Sequence, residues 1–303
     1  MNPIIKFILS IPSKLGISMN EDYEFVRKFQ SFFSNSSNND FLYLDRKIYG
    51  EDDQHEIKIR VFYPNDKTQG NESIIFIHGG GWTIGNIETY SAACQNIADE
   101  FKRIVYSVDY RLAPEHQFPA SFNDSLKAVE VIMEQEHRME NQQWILMGDS
   151  AGANLAAAIN LKLKEDNKRL PEKQILFYPL TYFDHSSNSP FESVEEKGYD
   201  YGLTKKQVQE FMENYVPDAE NRKDKRVAPL IAEDLSDQPE TLIITAEHDP
   251  LRDEGEAYGV ALKEAGNEVT IHRILESVHG FIKYPPTSGP LREAFEVMHQ
   301  FLD

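Results

Sequence analysis

The sequence predicts an α/β protein, a mostly parallel central sheet flanked by helices and topped by a helical cap. Three observations predict it. Short, continuously apolar runs alternate with amphipathic helical patterns over most of the chain, as strands covered by helices on both faces require. One of those runs, 144–147, passes through Gly148-Asp149-Ser150-Ala151-Gly152 directly into an alanine-rich helical pattern. The rhythm then lapses from about 181 to 238, where no strand pattern occurs. So long an excursion inside an α/β order marks an inserted element.

Taken in order, residues 1–45 read as N-terminal cap helices with irregular connections, interrupted by a polar run at 34–39. Segment 4–11 is apolar but short, holds Lys6 and is bounded by Pro3 and Pro12, so it reads as a surface-docking helix rather than a signal peptide or membrane span. Residues 46–303 form one catalytic domain. Its first strand, 57–63 (IKIRVFY), alternates with period two, like a half-exposed antiparallel edge strand. Apolar strands follow at 73–77, 104–108, 144–147, 175–178, 241–245 and 269–274. Helical patterns at 90–101, 121–136, 151–164, 254–265 and 291–301 separate most of them. The 181–238 insertion carries a polar loop, an acidic segment and a helix at 205–215; with the N-terminal helices it is placed to cover the strand ends where ligands bind in such sheets.

Composition narrows the function classes. With 50 acidic and 31 basic residues in a chain of 303, the net charge of −19 opposes binding to nucleic acid and to anionic membranes. A single cysteine, Cys94, excludes an intrachain disulfide and fits a reducing, cytoplasmic setting; within helix 90–101 it reads as a packed small residue.

The chemistry centres on Ser150. A serine on a sharp strand-to-helix turn projects its hydroxyl outward, and the N–H of Ala151 opens the new helix toward the same spot. Acyl transfer to a serine needs a base and a group that orients it. Asp249 lies three residues past strand 241–246, in a loop before the next helix. It reads equally as an orienting acid or as a helix cap preceding Pro250; Asp253 is the rival acid, in the first helical turn. His279 sits in the loop after the next strand, beside Gly280, whereas His248 has the wrong order and His272 lies within a strand. Upstream, strand 73–77 runs into His78-Gly79-Gly80-Gly81-Trp82. Glycines there let the main chain approach a substrate and aim N–H groups at a developing oxyanion, and Gly80 and Gly81 join Ala151 as the assigned donors. His78 and Gly79 support this loop. No G-x-G-x-x-G and no Lys-Ser/Thr follows, which argues against a phosphate loop.

These stretches, with Asp109-Tyr110-Arg111-Leu112-Ala113-Pro114-Glu115, Asp249-Pro250-Leu251-Arg252-Asp253-Glu254-Gly255 and His279-Gly280-Phe281, run in one order from about 74 to 282. The chain thereby resembles the hormone-sensitive-lipase-like family of α/β-hydrolases, of the bacterial acetyl-esterase type. The resemblance implies the α/β-hydrolase fold, Ser150 as nucleophile, His279 as general base and Asp249, not Asp253, as its orienter. It also implies an oxyanion hole from Gly80, Gly81 and Ala151. The Tyr110–Glu115 run is expected to be scaffold, with an Arg111–Glu115 ion pair. The expected activity is hydrolysis of short-chain acyl esters on a small-molecule substrate, with no metal or organic cofactor, no nucleic acid and no stable membrane association; a homo-oligomer stays open. A long-chain lipase or an amidase on the same fold is the nearer alternative. A purely ligand-binding role, as in the plant gibberellin receptors that resemble this family without its histidine, is disfavoured by the presence of His279.

Overall fold

The computed structural model describes residues 17–35, 41–50, 55–66, 71–135 and 142–303. Segment 4–11 and most of the polar run at 34–39 lie outside them. Eight strands form one sheet: β1 (Tyr43–Tyr49), β2 (Glu56–Phe62), β3 (Glu72–Ile77), β4 (Ile104–Asp109), β5 (Gln143–Asp149), β6 (Lys173–Phe177), β7 (Glu240–His248) and β8 (Val269–Val278). Their order is β1-β2-β4-β3-β5-β6-β7-β8. β1 and β2 run antiparallel to their neighbours, and β3 to β8 are parallel.

Period-two alternation sorts the strand side chains onto two cores. Ile75 and Ile77 of β3 face one side with Leu146 of β5, while Ile74, Phe76 and Ile145 face the other. The first side is covered by helices α3 (Ala120–Gln135), α4 (Ala151–Glu165) and α7 (Arg252–Glu264); the second by α2 (Ile87–Phe101) and α8 (Gly289–Leu302). Burial of this apolar surface is the main stabilising term. Cys94 packs in the second core, where burial pushes its thiol up to about 12. Among the described residues no helix is long and apolar enough to cross a membrane.

Three expectations are corrected here. Strand 57–63 is not the sheet edge: β1 pairs along it, Tyr43 opposite Phe62 through Tyr49 opposite Glu56. The sequence of β1, YLDRKIY, hides a strand because its charges serve cross-strand pairing rather than a buried face. Asp45 takes both forks of the buried Arg60 guanidinium at 2.7 and 2.8 Å, and Lys47 pairs with Glu56. Arg111 and Glu115 do not pair either. Arg111 donates to the buried Asp124 (2.7 and 2.9 Å), and Glu115 accepts from Arg27 (2.7 and 3.0 Å). Tyr178, read as the end of its strand, leaves it with φ of 35°.

No strand interrupts the chain between β6 and β7. That excursion holds α5 (Glu192–Lys197) and α6 (Lys205–Tyr215). α6 starts at a capping box, Thr204 and Gln207 each accepting the other's backbone N–H. The first turn of α7 anchors the excursion. Glu254, fully buried, accepts the N–H groups of Thr181 (2.6 Å) and Tyr182 (3.2 Å) and meets Nε2 of buried His185 at 2.7 Å. Asp253 accepts the Ser193 N–H at 2.8 Å. Glu254→Ala is therefore expected to lower unfolding stability by about 3 kcal/mol, because two buried partners and a half-buried one lose their acceptor together. An equilibrium denaturation midpoint equal to that of the parent would remove Glu254 from this role.

Candidate active site

β5 ends in Gly148-Asp149, and α4 begins at Ala151. Between them Ser150 sits at φ 54°, ψ −121°, a left-handed conformation that a non-glycine residue holds only under local strain. The turn is this sharp because α4 is drawn tightly onto β3. A Cβ on Gly152 would lie 2.0 Å from the Ile77 carbonyl oxygen, so no other residue allows the approach. Ser150 is locked by its own N–H, which donates to Phe177 O at 2.9 Å.

Three side chains meet at this turn. The Ser150 hydroxyl lies 2.8 Å from His279 Nε2, and His279 Nδ1 lies 2.7 Å from Asp249 Oδ2. The pattern places the imidazole proton on Nδ1, donating to Asp249, and leaves Nε2 to accept from the serine. Asp249 has no exposed surface, and its other oxygen, Oδ1, accepts the Leu251 N–H at 2.9 Å, which fixes the carboxylate plane. α7 begins only at Arg252, and its flanking residue Leu251 makes no side-chain cap. Asp253, the rival acid, faces Ser193 and Arg252 instead.

The loop 78–82 comes alongside. The Gly79 N–H donates to Asp149 Oδ1 at 2.7 Å, and the Tyr90 hydroxyl donates to Oδ2 at 3.0 Å. Burial raises the Asp149 pKa, while the Lys283 charge and these two donors pull against that rise. His78 is fully buried, donates from Nδ1 to Gly79 O (2.8 Å) and stacks on Tyr110 at 4.3 Å. Its burial lowers the pKa to about 4, so the ring is neutral and holds the loop. Among the described residues no hydrogen bond uses the N–H of Gly80, Gly81 or Ala151. All three residues line one cavity with Ser150 and His279. An oxygen carrying developing negative charge can be received there.

That cavity holds about 410 Å³ and is lined mostly by apolar groups, among them Ile84, Leu180, Leu203, Val208 and Phe211. Its roof is α6. Gly81, at φ 58°, lies against the Phe211 ring so closely that a Cβ would approach it to 2.2 Å. Trp82 stacks on Tyr215 at the other end of α6, ring centroids 4.3 Å apart. The N-terminal segment closes the assembly. The Met19 N–H donates to Glu210 Oε2 of α6 (2.7 Å), and Arg27 of helix α1 (Tyr23–Asn35) donates to the carbonyls of Thr83 (2.7 Å) and Ala113 (2.8 Å).

Four residues of this site were given no role by the sequence. Asp149 and Arg27 hold the glycine loop. The buried Tyr178 ring lies 4.5 Å from that of His279, and the Tyr178 hydroxyl accepts the Ile282 N–H at 3.3 Å, so it braces the His279 loop. Lys283 enters the cavity wall.

Comparison with known proteins sets the fold among esterases. A family described by the alpha/beta hydrolase fold matches residues 74–283. An arylesterase of Saccharolobus solfataricus is 37% identical over 80% of this chain and 78% of its own. An ethyl acetate hydrolase of Pseudomonas putida is 31% identical over 76% and 73%. The solved structure of a hyperthermophilic esterase from Pyrobaculum calidifontis superposes with a TM-score of 0.88 at 32% identity, covering 99% of this chain and 97% of that one.

Proposed function

Because the chain belongs to the hormone-sensitive-lipase-like family of α/β-hydrolases, we propose that it is a serine carboxylesterase cleaving short-chain acyl esters through an acyl-enzyme. The observation that carries this reading is the hydrogen-bonded relay from Ser150 through His279 to Asp249 at the wall of a 410 Å³ cavity.

Ser150 Oγ attacks the ester carbonyl carbon while His279 Nε2 takes its proton. Asp249 holds the imidazole in the accepting tautomer and stabilises the imidazolium that forms. The N–H groups of Gly80, Gly81 and Ala151 bind the oxyanion. As the tetrahedral intermediate collapses, His279 returns the proton to the leaving alcohol. Water then attacks the acyl-enzyme with His279 again as base, and the acid departs from a regenerated Ser150.

The short-chain preference rests on the roof. α6 is pinned to the core by the Trp82–Tyr215 stack and by the contacts of Met19, which limits how far the cavity can widen. Across a series of 4-nitrophenyl esters, kcat/KM is expected to peak at short acyl chains and to fall once the chain outgrows the cavity. Each methylene in such a pocket is worth about 1–3 kcal/mol. A maximum at long chains would favour the lipase reading, and faster turnover of a matched anilide the amidase reading.

A further inference from the structure

Lys283 stands in the cavity wall, four residues past His279, and no step of the proposed mechanism uses it. The turn Phe281–Lys283 divides its side chains sharply. Phe281 and Ile282 are buried in the core, while Lys283 is exposed. Its ammonium lies 5.1 Å from the centre of the Tyr90 ring, and among the described residues it makes no ion pair and no hydrogen bond through its side chain. The charge is nevertheless felt inside the site. Burial is the larger influence on both Asp149 and His78, and the Lys283 charge lowers the pKa of each.

Lys283 offsets the Asp149 charge from a distance, with no ion pair to either carboxylate oxygen. Both Asp149 oxygens hold hydrogen-bond donors, from Gly79 and Tyr90. Among the described residues lining the cavity, Lys283 is the only lysine or arginine. The lining otherwise consists largely of apolar groups and the reacting constellation. On a protein of net charge −19, Lys283 puts a cation at the substrate cavity, whose lining also holds the Asp149 carboxylate with both oxygens already hydrogen-bonded. An ammonium ringed by low-dielectric walls attracts an anion more strongly than one in open solvent does.

We propose that Lys283 makes the cavity selective for esters that carry a carboxylate, the anion seating against its ammonium while the ester carbonyl reaches Ser150. This rests on the esterase reading above and names the substrate class for that same site. The carboxylate can belong to the acyl half, as in a half-ester of a short dicarboxylic acid, or to the alcohol half.

The test compares the parent with Lys283→Met and Lys283→Arg on three chromogenic or ultraviolet-active esters: neutral 4-nitrophenyl butyrate, 4-nitrophenyl hemisuccinate with its anionic acyl group, and 4-acetoxybenzoate with its anionic alcohol. Lys283→Met is expected to lower the anionic-to-neutral ratio of kcat/KM by about tenfold or more, mostly through KM, for one of the two anionic esters. Lys283→Arg should restore much of that ratio. A ratio that stays at the parent value for both anionic esters overturns the proposal. So does an equal fall on all three esters, which marks a purely structural lysine.

A binding arm separates this outcome from a failure of the esterase reading. Ser150→Ala, alone and combined with Lys283→Met, is titrated with 4-acetoxybenzoate and with monomethyl succinate by NMR. Loss of binding to one of these anions in the double variant supports the anion role even where no ester is turned over. Equal binding to both variants, or to neither, overturns it.

Discussion

Replacing Ser150 by alanine is expected to cut kcat toward a 4-nitrophenyl ester by about 10⁴–10⁶-fold while the protein stays folded. The fold should survive because the strain at this position belongs to the backbone. Alanine adopts φ 54° at much the same cost as serine, and the N–H still reaches Phe177 O. The hydroxyl makes one side-chain hydrogen bond, to His279. What vanishes is the atom that, in the proposed mechanism, bonds to the acyl carbon. The backbone donors and the cavity remain, so a residue of catalysis over water is expected to persist. The measurement is single-variant kinetics beside a thermal melt. A folded Ser150→Ala protein within tenfold of the parent kcat would place the nucleophile elsewhere.

The second large effect is expected from Asp249→Asn, about 10⁴-fold in kcat, and the structure says why so small a change should be so costly. The two carboxylate oxygens of Asp249 have different partners. Oδ1 accepts the Leu251 N–H at 2.9 Å, and Oδ2 faces His279 Nδ1 at 2.7 Å. An asparagine amide has one acceptor oxygen, and the Leu251 N–H claims it. The NH₂ group is then turned toward His279 Nδ1 and demands that this nitrogen accept. The imidazole proton moves to Nε2, where it points at Ser150 and blocks proton uptake. Asp249→Ala leaves a cavity without imposing that tautomer, so it should be less damaging or equal to the amide. NMR of the His279 ring nitrogens in the two variants checks this directly. An Asp249→Asn protein with Nδ1 still protonated and kcat near the parent would overturn the assigned role.

Much of this was written in the sequence because position along an α/β chain is nearly position in space. Parallel strands put every β-to-helix loop at the same end of the sheet. An order of glycine loop, Ser150, Asp249 and His279 after four separate strands therefore brings the four features together. The unread parts depend on pairing across the chain. β1 is a strand through its partners Arg60 and Glu56, not through its own apolar pattern. Arg111 finds Asp124 because helix α3 brings that carboxylate under the turn, a proximity that no local spacing encodes. Asp149 looks like a filler letter in a pentapeptide until Gly79 and Tyr90 are seen to converge on it. The cap was legible as an interruption only. What fixes it, Glu254 against Thr181, Tyr182 and His185, joins residues about seventy positions apart.

Asp149 has one further consequence. The residue next to Ser150 grips, through one oxygen each, the first glycine of the 78–82 loop and a tyrosine of the helix that follows it. Serine turn and glycine loop are thus a single mechanical part assembled from two distant stretches of chain. Neither can be lengthened, shortened or transplanted alone, since a shift in one drags the N–H groups of the other out of aim. Anyone moving this chemistry to a new scaffold must carry residues 78–90 and 148–152 together, with the β3–β5 register of Ile77 opposite Gly148 intact.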